Sequence, residues 1–377
     1  MLCLVFSSDK IIHSNHFGQR HEALSWSNQL LFCFSQCCVT LCSPASLWRV
    51  DGTPVPGTPT GGDDFTTALI GSIEPINPSD YCSQFNIPGT VSVKPTTVIS
   101  INGSVYWGIA CMNYGDEPLF KRQHNYYAWI AKSLDPHGNR WNFSATPSDF
   151  FSGRLAAPMF IQYGQDNELA VDDYVYAHFP YAADEFTNGT AQSFWNNNDD
   201  VLLGRVPKHE ILNRSRWQFY VGGGLGDDSD ENDDTHWSHN HWDAVSIMHY
   251  PKMLGMNQVN YHPQSQRYVL ANYGFVDFNG LPRPYHQTPM VVRHRSQLTL
   301  FEGPKPWGPF AVFHRDDDWK SPDGAAGGYC PVLPPKWVGN SSAWMVWAQC
   351  CALSSDENPH HYNFSVQQFH FTHTSHL

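Results

Sequence analysis

Beyond residue 62 the chain is a succession of short apolar or aromatic runs, each bounded by Gly, Pro, Asn or Asp. Helix-period spacing is nearly absent, so the pattern predicts an all-β chain. The runs group into fours. The first set is Thr96–Ile101, Ser104–Asn113, Tyr126–Ser133 and Trp141–Thr146, and its first two members are joined by Asn102-Gly103, the dipeptide that best suits a two-residue hairpin turn. The second set is Ala157–Gly164, Asp173–Pro180, Asp200–Lys208 and Trp217–Gly222. The third is Ala244–Met253, Arg267–Phe275, Met290–Ser296 and Phe310–Arg315. A fourth, Tyr329–Trp337, Ala343–Cys351 and Tyr362–Thr372, is one strand short.

Four-stranded units that repeat without intervening helices predict a β-propeller, in which radial repetition leaves only short sheet edges. The expectation is five blades, the first truncated or atypical and lying between Leu47 and Gln84, with Phe65–Ile73 closing the ring against the fourth set. Residues 47–377 form the propeller domain in this reading. Residues 1–46 stand outside it as a Cys-rich segment, because they carry five of the ten cysteines and none of the blade pattern. A mis-assigned start fused to a secreted domain accounts for that change of composition near Ser43.

Composition narrows the function. Hydrophobic residues make up 41% and charged residues 15%, a balance that folds. With 22 Lys+Arg against 35 Asp+Glu the net charge is -13, and no basic run occurs, which argues against a nucleic-acid partner. No uncharged apolar stretch reaches the roughly 18 residues of a membrane-spanning helix, so no membrane partner is expected, and the chain is read as a monomer. Six N-x-[ST] acceptors, at Asn102, Asn142, Asn188, Asn213, Asn340 and Asn363, exceed the roughly three expected by chance and tilt toward a secreted glycoprotein. Met1–Phe6 is too short, and too soon interrupted by Asp9 and Lys10, to make a clean signal peptide. One or two disulfides are expected among Cys82, Cys111, Cys330, Cys350 and Cys351, with the connectivity open.

Two kinds of segment carry a resemblance. Ser133, Asp135, Gly138 and Trp141 resemble the S-x-D-x-G-x-x-W turn between outer strands of sialidase-like blades, with one residue inserted. The segments Val98–Asn113, Tyr174–Pro180, Val201–Gly222, Glu302–Phe310, Tyr329–Trp337 and Met345–Cys351 together resemble, in content and order, the propeller family labelled domain of unknown function 4185. That likeness spans Lys94 to Thr372 and stops before Asp63. It implies a secreted propeller similar in architecture to five-bladed glycosidases, with polysaccharide lyases of uronic-acid glycans as distant relatives.

Residues at inner-strand entrances of a propeller face its funnel. Here they are Lys94, Arg154, His241, Asp243 and Tyr329. Hydrolysis by a carboxylate pair finds only Asp243 in such a place, with Asp63 or Asp64 to supply a second group. Elimination at a uronate needs a base and a cation that neutralises the carboxylate, and His241 or Tyr329 with Lys94, Arg154 or Arg122 fits that requirement better. The expected catalytic set is therefore His241, Asp243, Tyr329 and Lys94, with Arg122, Arg154, Trp237 and Trp242 binding substrate. The two tryptophans offer flat indole faces for sugar stacking. A non-catalytic glycan-binding propeller is the alternative. The acidic loop Gly222–Trp242 holds Asp228, Asp230 and Asn232 at calcium-loop spacing but lacks the loop's Gly and final Glu. His236, His239 and His241 lack the helical spacing that pairs metal ligands. No cofactor or metal is implied.

Overall fold

The computed structural model describes residues 81–87, 91–113, 124–135, 140–183, 191–196, 198–223, 234–276, 296–320, 326–339, 341–352 and 364–373, together with the backbone of 2–5, 11–14, 30–34, 46–52 and 65–72. The described elements are antiparallel strands and single-turn 3-10 helices, so the chain is all-β.

The first set forms as its pattern predicts. Val91–Ile101 pairs with Ser104–Asn113 through the Asn102-Gly103 turn, where both residues take positive φ (50° and 72°), the geometry of a type I′ hairpin. His124–Ser133 and Trp141–Asn142 follow outward. The described residues that carry the sialidase-like resemblance flank the turn between these last two. Ser133 Oγ accepts from the Val105 amide at 2.8 Å, Asp135 Oδ2 accepts from the Arg140 amide at 2.9 Å, and Trp141 packs edge-on against buried Trp107 at 5.3 Å. Gly138 lies outside the described residues.

In the second set Met159–Phe160 pairs with Tyr174–Ala183, then Asn198–Pro207, Gln218–Tyr220 and Trp237–Ser238. Ala191–Phe194 bridges Tyr174–Ala183 to His124–Ser133, which joins the first two sets into one sheet of twelve strands. The third sheet is Gln258–His262, Arg267–Phe275, Ser296–Gly303 and Ala311–Trp319. Its first strand corrects the sequence reading, because Met248–Leu254, expected in this place, pairs with Asn198–Pro207 instead. The reason is local: Gln258–His262 is short and polar at alternate positions, and its partner Arg267–Phe275 lies one tight turn away. Most of Met290–Ser296 falls outside the described residues.

The fourth sheet contains Ala326–Val332, Ser342–Ala352 and Phe364–His373, which overlap the three expected runs, although Pro335–Trp337 is a single-turn 3-10 helix and not part of the first strand. Its outer edge is taken by Leu2–Val5 and Ile11–Ser14. Phe65–Ser72, expected there, pairs with Ser46–Gly52 in a separate sheet completed by Leu30–Phe34. Segments of 1–46 therefore pair as strands and do not all stand outside the fold. An unpaired edge offers backbone N–H and C=O groups to any short apolar stretch, whatever set it belongs to by pattern.

Side chains bury between consecutive sets. One core lies between the first and second, another between the second and third, and a last between the third and fourth. The first strands of the four sets are also tied side by side. The Phe160 amide donates to Thr97 Oγ1 (3.0 Å), and Gln162 Nε2 donates to the Val98 carbonyl (2.8 Å). The Gln162 amide donates to the Val259 carbonyl (2.8 Å), the Tyr261 amide returns a bond to the Gln162 carbonyl (2.9 Å), and the Leu333 amide donates to Gln258 Oε1 (3.0 Å).

Candidate functional site

These four strands wall one cavity of about 100 Å³. At about 30 Å³ per water, it admits a few waters or the edge of one sugar ring. Thr96, Thr97 and Val98 come from the first set, Met159 from the second, Asn257 and Gln258 from the third, and Tyr329 and Val332 from the fourth. Trp195 and Trp347 add indole surface. Tyr329 is 2% exposed, and its hydroxyl accepts a hydrogen bond from Trp195 Nε1. Its ring meets Tyr273 at 4.9 Å. Asn257 is 1% exposed, yet neither its Oδ1 nor its Nδ2 has a hydrogen-bond partner, and Thr96 Oγ1 in the same wall is also unpartnered. Buried polar groups are rarely left so, which marks this wall as a surface shaped for a hydrogen-bonding guest.

A second constellation sits on three single-turn helices of the second set. Arg154 belongs to Gly153–Leu155, Arg214 to Arg214–Arg216, and His241 and Trp242 to His241–Asp243. Asn240 caps the last of these, its Oδ1 accepting from the Trp242 amide at 3.2 Å. Asp243 closes the same loop, accepting from Ser238 Oγ at 2.8 Å and Asn240 Nδ2 at 3.0 Å. The one carboxylate at a predicted entrance thus holds its own loop in shape. The result is a displayed indole, since Trp242 is 65% exposed. The Arg154 guanidinium lies 5.1 Å from the Trp242 ring and 5.9 Å from the Tyr181 ring, and it donates to the His241 carbonyl. Arg214 packs over Phe219 at 5.2 Å and Phe151 at 5.6 Å.

Electrostatics follow from this packing. Burial lowers the pKa of both arginines, with nearby Tyr181 partly opposing the shift at Arg154. Burial, then Arg214, then Arg154 lower that of His241, which keeps the imidazole neutral at pH 7. A neutral imidazole, two guanidiniums and an open indole face therefore share one locality.

The other sequence-predicted residues lie elsewhere. Lys94 is buried in the strand Val91–Ile101, opposite Ala110. Trp237, expected as a sugar platform, is a core residue. It is packed by Tyr220 at 5.6 Å, Tyr176 at 6.0 Å and Trp307 at 6.2 Å, and covered by Arg205 at 4.2 Å. Arg122 lies outside the described residues, as does most of the acidic loop. The convergence expected of Lys94, Arg154, His241, Trp242, Asp243 and Tyr329 is thus divided: Tyr329 lines the cavity, while Arg154, His241, Trp242 and Asp243 gather in the second constellation. The three histidines of the loop are engaged separately. His239 Nδ1 donates to the Trp217 carbonyl at 3.0 Å, and His236 packs edge-on to Tyr220. Cys82 and Cys111 form a disulfide, one of the pairings left open by spacing.

Sequence reasoning missed Trp195, Asn257 and Arg214. Asn257 precedes Gln258–His262 as Arg154 precedes Met159–Phe160, so placing that strand correctly would have found it. Arg214 is hidden inside the glycosylation motif at Asn213.

No protein-family model matches the chain, and no curated protein matches it. Solved structures do. One is a GH43_1 enzyme from Xanthomonas citri complexed with xylose, 13% identical, with 93% of this chain and 86% of that chain covered and a TM-score of 0.45. Another is an exo-beta-1,3-galactanase from Phanerochaete chrysosporium with galactose, 9% identical, covering 97% of this chain and 64% of that chain, with a TM-score of 0.44. An endo-1,4-beta-xylanase from Bacteroides thetaiotaomicron is 11% identical, covering 87% and 91%, with a TM-score of 0.40.

Proposed function

We propose that this chain is a β-propeller that takes a carbohydrate at the cavity between its inner strands. The observation that carries the reading is the wall itself, where four laterally bonded strands, one from each set, surround an amide with no partner. A sugar hydroxyl can donate to Asn257 Oδ1 and accept from its Nδ2. Among the described residues the lining holds hydroxyl, amide, indole and phenol groups and no carboxylate or imidazole, which suits holding a sugar better than cleaving it. Membership of the domain of unknown function 4185 family and a fifth blade belong to the same proposal. So does secretion, supported by the disulfide and by exposed Asn102, Asn142 and Asn213 in glycosylation motifs. Secreted protein from a eukaryotic host should run faster on a gel after N-glycosidase treatment, and unchanged mobility would count against it.

Asn257→Leu tests the cavity. It removes two buried polar atoms without a large change of volume, so unfolding free energy is expected to rise by about 1–3 kcal/mol in urea titration. Affinity for neutral oligosaccharides such as xylohexaose should fall about 10-fold or more by calorimetry. Undiminished affinity would remove the cavity as the sugar site.

A further inference from the structure

The rim constellation of Arg154, Arg214, His241 and Trp242 shares no residue with the cavity lining. Among the described residues, neither Arg154 nor Arg214 lies within ion-pair distance of a carboxylate, although Asp and Glu outnumber Lys and Arg by 35 to 22 in the whole sequence. Lys208, Arg205, Arg140, Arg315 and Lys320 all have acidic partners at 4.0 Å or less. Arg154 Nε is buried with no partner at all. The neighbouring acid that could have paired with them, Asp243, has both oxygens engaged within its own loop. Two half-buried cations left unpaired in an acidic protein constitute a preformed place for an anion.

The indole gives that anion a carrier. Trp242 rests against Arg154 and is held by the Asn240 cap, leaving much of its surface open to solvent. A flat apolar face beside forked donors matches a pyranose ring that bears an acidic substituent. We propose that the rim formed by Arg154, Arg214, His241 and Trp242 binds an acidic sugar residue, with the ring on Trp242 and its carboxylate or sulfate ester on the two guanidiniums. The site rests on the carbohydrate reading above and adds a substrate class to it, acidic glycans. His241, neutral between the two cations, is placed to accept a hydrogen bond from a ring hydroxyl.

The test uses the full chain and three probes of equal length: a galacturonate hexamer, a sulfated hexasaccharide and neutral xylohexaose. Calorimetry in low salt should show at least one acidic probe binding about 10-fold or more tighter than the neutral one, with the advantage shrinking as salt is added. The probe that keeps the preference identifies the anion as carboxylate or sulfate. Arg154→Gln and Arg214→Gln should each lower acidic affinity by about 10- to 100-fold, the range of a charge-assisted hydrogen bond, and leave neutral binding intact. Trp242→Ala, at an exposed position that folding tolerates, should weaken the acidic probes even if Arg214→Gln fails to fold. Asn257→Leu should weaken neutral binding by about 10-fold or more and spare the acidic preference. Equal affinity for acidic and neutral probes, or acidic binding that survives both Arg154→Gln and Trp242→Ala, would overturn the rim site while leaving the cavity standing. Failure of all three probes to bind would overturn both readings. Release of unsaturated product from the uronate probe, seen as ultraviolet absorbance and lost in His241→Ala, would keep the site and add elimination to it.

Discussion

Arg205→Ala is expected to destabilise the protein by about 3–5 kcal/mol, the largest effect of any single substitution considered. The side chain is fully buried in the strand Asn198–Pro207, with its guanidinium between the rings of Tyr174 and Trp237, each at 4.2 Å. Its Nε donates to Gln218 Oε1 at 3.0 Å and its Nη2 to Asp234 Oδ1 at 2.7 Å. Alanine removes these contacts together and leaves a hole between two aromatic rings. The arginine also acts on Asp172, where burial raises the carboxyl pKa and the Arg205 charge partly offsets that shift. Arg205→Met fills much of the same volume without a charge and should lose less than about 1.5 kcal/mol. Urea unfolding of the two variants separates packing from charge. If methionine proves as damaging as alanine, the ion pair and not the packing holds this corner. Asp234 ends the acidic run that begins at Asp227, so Arg205 also ties the end of that loop to the second set.

Much of this architecture is legible in the sequence because strand pairing here is mostly local. Asn102-Gly103 fixes one hairpin by backbone conformation alone, and Tyr174–Ala183 with Asn198–Pro207 reads as two apolar runs joined by polar residues. Pairings that are not local depart from the pattern. Met248–Leu254 crosses to the edge of the second set, and Leu2–Val5 with Ile11–Ser14 takes the edge expected for Phe65–Ser72. A strand's pattern tells which of its faces is buried and says nothing of which free edge it will join.

The same distinction governs the site. Trp237 and Trp242 lie five positions apart in one loop and look alike in sequence, yet one is sealed among Tyr176, Tyr220 and Trp307 while the other is displayed. The Asn240 cap and the Asp243 bonds decide the difference, and both depend on the loop's three-dimensional path. Arg154 and His241 could be singled out from their positions before apolar runs, although the run after His241 joins the second set and not the third. Their pairing with Arg214 could not, since that residue follows the third strand of its set and reaches them only through tertiary packing.

Stability is expected to fall by about 3 kcal/mol between pH 7 and pH 4 through His178 alone. The imidazole is buried in Tyr174–Ala183, its Nε2 donating to the Pro306 carbonyl at 3.1 Å and its ring edge-on to Phe310 at 5.7 Å. Burial lowers its pKa from 6.5 to about 4, with the Pro306 bond opposing only in part. Between those two values the unfolded chain binds a proton that the folded chain refuses, so protonation favours unfolding and stability drops as pH falls through that window. Above 6.5 both states are neutral, and below about 4 both are charged, so the contribution is flat outside it. The fall from 6.5 to about 4, at about 1.4 kcal/mol per pH unit of the window crossed, sets the size. His241 and His314 have lowered pKa values too and add to the same trend, so the comparison must isolate His178. His178→Gln does so, because its amide can still donate to Pro306 while carrying no titratable group. Urea unfolding of parent and variant at pH 7 and pH 4 should show the parent losing about 3 kcal/mol more than the variant. Parallel losses in the two proteins would mean that His178 gains its proton in the folded state without resistance, and that the strand around it opens to water well above pH 4.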